Sequence, residues 1–189
     1  MNARTPAPNT ETLQQLHGVL LVMFDIGVLI MGDSGIGKSE LALSLINRGH
    51  QLIADDVVNI EYQAPTVIGS CPPPLQDFLE VRGLGILNIR AMYGDAAMCQ
   101  AHPLQLVINL RKLPNEQLAL IDRLNGCRTL TPLFKQQIPT VDIPILLGRP
   151  LTILAEAAVR DHCLRMAGYS ASDAFIKAQT KLLENHDSH

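Results

Sequence analysis

The octet Gly32-Asp33-Ser34-Gly35-Ile36-Gly37-Lys38-Ser39 limits what this chain can fold into more than any other stretch. It fits G-x-x-x-x-G-K-[ST], a pattern that works only with a strand entering the loop and a helix leaving it. Both flanks are present. Gly27-Val28-Leu29-Ile30-Met31 predicts a buried strand, and residues 39–48 predict a helix closed by Gly49. In that setting the glycines let backbone wrap closely around phosphate oxygens. The helix turns its open N–H groups and positive dipole end toward them. Lys38 would hold terminal phosphate oxygens and Ser39 would ligate a magnesium ion. The ligand expected from the loop alone is a nucleoside triphosphate or another polyphosphate.

The surrounding residues predict a globular domain. At 189 residues, with 47 % hydrophobic and 17 % charged side chains, the chain can bury a core of its own. A net charge of −3 exerts no general pull on nucleic acid or membrane, and the lack of Trp argues against a base-stacking surface. Cys71, Cys99, Cys127 and Cys163 form no C-x-x-C pair and have no His at metal-ligand spacing. They read as free thiols in a reducing cytoplasm. The most apolar stretch, residues 18–31, is interrupted by Asp25 and too short to span a bilayer. It predicts two core strands joined by a turn at Asp25 and Gly27. Residues 1–12 are polar, hold two prolines and read as a flexible leader, so the expected domain covers 13–189.

Along the chain, residues 13–17 are ambiguous. The helix after the loop carries Leu41, Ala42, Leu45 and Ile46 on one face. Leu52-Ile53-Ala54 and residues 57–62 predict strands either side of Asp55-Asp56. Four prolines make residues 64–76 read as a loop. A short helix is expected near Ala91-Met92-Tyr93, a buried strand over 104–110, and a turn at Asn125-Gly126. Pro139, Pro144 and Pro150 are expected to cut the next stretch into short extended pieces. Pro150 then opens a long helix through Met166, ended by Gly168. Ser170 with Asp173 caps a last helix. The expected class is α/β, a P-loop domain with a mixed central sheet and two C-terminal helices.

Asp55-Asp56 follows a strand end, where ligands bind in such sheets. Phosphoryl-transfer sites use one carboxylate beside the metal and another at the nucleophile. Glu80 can complete a magnesium shell, and Arg82, between Val81 and Gly83, can stabilise charge on a transferring phosphoryl group. On spacing alone, His17 reads as structural and Arg123 as a helix-surface residue. Arg149, beside Gly148 and Pro150, reads as solvated.

Together these segments resemble the catalytic domain of HPr kinase/phosphorylase, the bacterial serine kinase of the phosphotransferase system. The resemblance runs from about His17 to Phe175. It rests on His17-Gly18-Val19, the octet with Glu40, Arg48-Gly49-His50, Ala54-Asp55-Asp56-Val57-Val58 and Glu80-Val81-Arg82-Gly83-Leu84-Gly85-Ile86-Leu87-Asn88. It rests further on Asp122-Arg123-Leu124, Ile143-Pro144, Gly148-Arg149 and Gly168-Tyr169. It implies phosphorylation of a regulatory serine on an HPr-type phosphocarrier protein by ATP or pyrophosphate, and reverse phosphorolysis by inorganic phosphate. It implies Asp56 as the base toward the serine, Ser39 and Glu80 as magnesium ligands, and His17, Lys38 and Arg123 as further catalytic positions. It also implies a phosphate site similar to that of phosphoenolpyruvate carboxykinase, and a homo-hexamer.

Two departures stand out. The family often carries a separate N-terminal domain that this sequence lacks, so the likeness is either to a short form or to a piece cut from a longer protein. The segment tied to dephosphorylation usually reads I-P-V-R-P-G-R-N, whereas here Leu146 replaces its first arginine. A kinase of small metabolites on the same scaffold, or a nucleotide-sensing module without transfer, are the alternative readings.

Overall fold

The computed structural model describes residues 13–186, so the expected leader at 1–12 lies outside the described residues. Among them a nine-stranded mixed sheet forms. Its strands are β1 Leu13–His17, β2 Val19–Met23, β3 Ile26–Met31, β4 Gln51–Ala54, β5 Val57–Gln63, β6 Thr66–Ser70, β9 Ala101–Arg111, β10 Cys127–Leu133 and β11 Gln136–Pro144. The order is β1-β5-β6-β9-β3-β2-β4, and β11 also pairs with β9 and carries β10. Strands β3 and β11 run parallel to β9, and the other ladders are antiparallel. A separate hairpin, β7 Phe78–Val81 with β8 Gly85–Asn88, packs near α1 Lys38–Ile46. The remaining helices are α2 Ile89–Tyr93, α3 Asn115–Ala119, α4 Leu151–Met166 and α5 Ala171–His186.

Strand alternation sorts the apolar side chains into two cores. Val19, Leu21 and Met23 face one side with Val28, Ile30, Leu106 and Ile108, and are covered by Leu45 of α1 and Val159 of α4. Leu20, Val22, Leu29 and Val107 face the other, covered by Val58, Ile60, Val67, Leu133 and Ile138. The β2–β3 hairpin turns at Phe24-Asp25, both with left-handed backbone (φ 52° and 61°), the two-residue turn whose twist suits a hairpin. Gly27, expected in that turn, instead lies in β3. A Cβ there would come within 2.0 Å of the Pro103 carbonyl oxygen of β9, so only glycine lets the two strands approach.

The expected loop over 64–76 is corrected: Thr66–Ser70 is a strand that pairs with both β5 and β9. The prolines sit at its ends, with Pro65 in the turn and Pro72 to Pro74 beyond Ser70, and Thr66-Val67-Ile68 between them is β-branched. The segmentation expected at Pro139 is corrected too, since β11 runs through it. Pro139 pairs with Leu130 of edge strand β10, and the ladder to β9 starts at Thr140, so the proline lies outside the central ladder. The ambiguous residues 13–17 form β1. At the C-terminal end the expected cap is present: Ser170 Oγ accepts the Asp173 N–H at 3.3 Å.

Candidate active site

Three strand ends meet at one edge of the sheet. Strand β3 ends there at Met31 and passes into the glycine loop. Because β2 is antiparallel to both β3 and β4, the start of β2 and the end of β4 lie at the same edge. Two crossings follow from this. The chain enters β2 from β1 through Gly18 and leaves β4 for β5 through Asp55-Asp56, and the crossings are tied by Gly18 N–H to the Asp56 carbonyl at 3.2 Å. His17, at the end of β1, and the two aspartates are thereby brought beside the loop although 38 residues separate His17 from Asp55 in sequence.

The loop itself is held from below. Ile36 is buried and anchors it to the core, and Ile36 N–H donates to the Asp33 carbonyl at 3.2 Å. Gly37 takes φ 101° immediately before α1, a conformation that directs the first turn of the helix toward the cleft. The first N–H groups of a helix have no intrahelical partner, so this end can accept an anion. Lys38 is buried, and its Nζ donates to the Gly32 and Asp33 carbonyls at 3.0 and 3.2 Å, spanning the loop.

Asp55 ties the start of α1 to the β7–β8 hairpin. It is buried, accepts the Ser39 hydroxyl at 3.2 Å on Oδ1, and accepts the Glu80 N–H at 2.9 Å on Oδ2. Burial pushes its carboxyl above the usual range, against the lowering effect of those bonds. Asp56 is exposed and left-handed (φ 66°), and its Oδ1 lies 3.0 Å from His17 Nδ1. The same Nδ1 lies 3.0 Å from the Asp56 carbonyl, so a proton on it is shared within that residue and fixes the carboxylate.

One cleft is lined by His17, Ser34, Gly35, Gly37, Lys38, Ser39, Glu40, Asp55, Asp56, Glu80 and Arg82. It unites the expected His17, Lys38, Ser39, Asp56 and Glu80 with Ser34, Gly35 and Gly37 of the loop, whereas Gly32, Asp33 and the buried Ile36 do not line it. Four of the lining residues are carboxylates against the two permanent cations Lys38 and Arg82, a balance that repels a polyphosphate unless a divalent cation comes with it. Among the described residues no three acidic, His or Cys side chains form a metal cage. A hydroxyl with one or two carboxylates suits magnesium all the same, since that ion keeps waters and takes its remaining ligands from phosphate. Ser39, Asp55 and Glu80 therefore fit magnesium in donor type, and the unneutralised charge of buried Asp55 fits a cation nearby.

Arg123 is not in this cleft. It lines a second one with Leu118, Ile121, Gly126, Asp142, Leu146 and Arg149, beyond the ends of β9 and β11. Those strands end at the same sheet edge as β3, so the second cleft lies roughly 10 Å along it, two strand spacings away. The site residue that pattern reading undervalued is Asp55: it stood in the Asp-Asp pair, but only burial distinguishes it from Asp56.

The family described as HPr Serine kinase C-terminal domain matches residues 9–179. The chain is 46% identical over 174 residues to a protein of Chromobacterium violaceum named HPr kinase/phosphorylase, and 47% identical over 175 residues to one of that name from Neisseria meningitidis. Each match covers 92% of this chain and 55% of the relative. The chain thus spans about half the length of the curated relatives it matches. A solved structure described as the Hpr(Ser) kinase/phosphatase from Coxiella burnetii superposes with a TM-score of 0.77 at 39% identity, covering 86% of this chain and 98% of that one.

Proposed function

Because this chain belongs to the HPr Serine kinase C-terminal domain family, we propose that it transfers the terminal phosphoryl group of ATP to a serine of an HPr-type phosphocarrier protein. The observation that carries this reading is Asp56, an exposed carboxylate at the mouth of a phosphate-loop cleft, held by His17 and, among the described residues, paired with no lysine or arginine. A carboxylate so placed can accept the proton of an incoming hydroxyl from a protein surface. The loop N–H groups and Lys38 bind the phosphates, and Lys38 exchanges its carbonyl partners for phosphate oxygens on binding. Ser39, Asp55 and Glu80 would hold magnesium, which when bound offsets phosphate charge. His17 keeps Asp56 aimed during transfer.

The reverse branch, phosphorolysis of phosphoserine by inorganic phosphate, uses the same groups with Asp56 returning the proton. For Arg123 we propose a phosphate contact from the second cleft, where Arg149 is its neighbour and Leu146 stands in place of a third cation. Pyrophosphate as alternative donor, homo-hexameric assembly and a cytoplasmic setting complete the proposal. Among the described residues no helix is long and apolar enough to cross a membrane.

The test is incubation with ATP, magnesium and a folded HPr-type carrier, read by intact mass and phosphoserine mapping, then repeated with pyrophosphate and run backwards with phosphate. Transfer to a serine is expected. Lys38→Ala is expected to lose nucleotide binding and transfer together, and Asp56→Asn to lose transfer while still binding nucleotide. No phosphoserine on a folded carrier refutes the proposal. Loss of nucleotide binding in Asp56→Asn refutes the role given to that residue.

A further inference from the structure

A third hollow, of about 330 Å³, lies between the last turns of α4 and the β10–β11 hairpin. It shares no residue with the two clefts at the sheet edge. Pro139, on its wall, stands three residues before Asp142 of the second cleft, roughly 10 Å down β11. Leu130 and Pro139 pair across the hairpin and form an apolar wall with Met166 of α4. Leu130 and Met166 are exposed, so apolar surface stands open on both sides of the hollow. His162, Arg128 and Arg165 supply its polar wall. An apolar hollow with a few converging polar groups is the usual form of a small-molecule site.

Two features of the polar wall are unbalanced. His162 is 5% exposed, and its Nε2 is the one buried side-chain nitrogen or oxygen among the described residues without a hydrogen-bond partner. Leaving such an atom unpaired is costly, and few native ones lack a reason. Burial, helped by the Arg128 charge, holds the imidazole below its ordinary value, so the ring is neutral at pH 7. The second imbalance is charge. Arg128 Nη2 and Arg165 Nε both donate to Asp161 Oδ2, the latter at 2.7 Å. Arg48, Arg90 and Arg111 each have a carboxylate that no second arginine shares. Two guanidiniums on one aspartate leave one positive charge over. Among the described residues Arg165 Nη1 and Nη2 and Arg128 Nη1 have no partner, so donors matched to a carboxylate stand unused at the hollow.

We propose that this hollow binds a small monocarboxylate, with its carboxylate on the Arg128–Arg165 pair beside His162 and its apolar body against Leu130, Pro139 and Met166. One surplus charge matches one carboxylate, whereas a phosphate monoester brings nearly two negative charges. The half-buried setting of both arginines keeps that attraction from being screened as it would be on open surface. The site uses none of the groups assigned to phosphoryl transfer, so it stands whether or not the kinase reading does.

The test is titration calorimetry of the full chain, in whatever assembly it forms, with hexanoate, hexanol and inorganic phosphate, on wild type and Arg165→Gln. Hexanoate is expected to bind wild type about tenfold tighter than hexanol, because only hexanoate uses the arginines. In Arg165→Gln one arginine remains on one aspartate and no charge is left over, so hexanoate is expected to weaken about tenfold. Phosphate binding at the phosphate loop is expected to be unchanged by that substitution. No binding of hexanoate overturns the proposal, including the case in which a neighbouring copy closes the hollow. Equal binding of hexanoate and hexanol overturns it, since that marks an apolar hole only. Phosphate that binds as tightly as hexanoate and weakens equally in Arg165→Gln overturns it as an adventitious ion only. Unchanged hexanoate binding in a folded Arg165→Gln places the ligand elsewhere and overturns it too. Should Arg165→Gln fail to fold, the comparison of hexanoate with hexanol on wild type decides.

Discussion

Asp55→Asn is expected to stabilise the ligand-free chain and at the same time disable the site. The asparagine keeps an oxygen for the Glu80 N–H, which Asp55 now accepts at 2.9 Å. Its NH2 then faces Ser39 Oγ, which turns from donor to acceptor across a separation of 3.2 Å, so no polar atom is orphaned. Removing the buried charge recovers about 2–3 kcal/mol of desolvation, and losing charge assistance in two hydrogen bonds costs about 1–2 kcal/mol. The net gain is about 1 kcal/mol, or about 2–4 °C in Tm for a chain of this length.

The pH dependence has a definite sign. Burial holds the folded Asp55 carboxyl above its unfolded value, so the folded chain binds this proton more tightly than the unfolded one. The penalty is absent below the ordinary carboxylate range, where both states are protonated, and is complete above the raised value. The advantage of Asp55→Asn should therefore be full at neutral pH and vanish as pH falls toward 3.8. Thermal melts of both proteins across pH measure it. Magnesium with nucleotide at a hundredfold excess over Kd should add about 2.7 kcal/mol to wild type and far less to the variant. A ligand-free Asp55→Asn that melts below wild type at neutral pH refutes the reasoning, because the carboxylate would then be a net stabiliser without any cation.

Two further predictions concern the frame that carries the site. Glu156, 13% exposed, clamps α4 to the end of α1 by accepting from Arg48 Nε and Nη2 at 2.7 Å each, with buried His50 Nε2 at 3.0 Å. Glu156→Ala should cost about 2–4 kcal/mol by chemical denaturation, since it leaves His50 unpaired. The Arg48 hydrogen bond is the main cause that holds the Glu156 carboxyl down to about 2, so its contribution should be present above pH 4.5 and fade as pH falls from there toward 2. An unchanged acid limb in the variant would contradict this. Gly27→Ala should destabilise by about 3 kcal/mol or more, because its Cβ would collide with the Pro103 backbone and push β3 from β9. A wild-type denaturation midpoint would show that the two strands can part without loss.

The strand-loop-helix unit around Lys38 and Ser39 was legible in sequence because every part of it is local. The glycine spacing, the apolar run before it and the helical face after it lie within one short segment. The end of α4 at Gly168 and the Ser170 cap of α5 were legible for the same reason, while α4 starts at Leu151, one residue after the expected Pro150. Strand β6 was not, because proline content describes the ends of that segment while its pairing with β9 depends on residues more than 30 positions away.

The phosphate loop is thus a property of the sequence by itself. The groups that surround it are decided by tertiary structure. Asp55 and Asp56 are chemically identical neighbours, and only the crossing from β4 to β5 buries one against Ser39 and leaves the other open beside His17. Arg82 and Arg123 are each a lone arginine in a turn or loop. The β7–β8 hairpin sets one over Gly35, while the end of β9 sends the other to a second cleft. The physical reason is that a side chain's direction and burial are set by which strands pair, and strand pairing is non-local. The chemical types at this site can be read from the chain, but which carboxylate is buried beside Ser39 and which lies open beside His17 cannot.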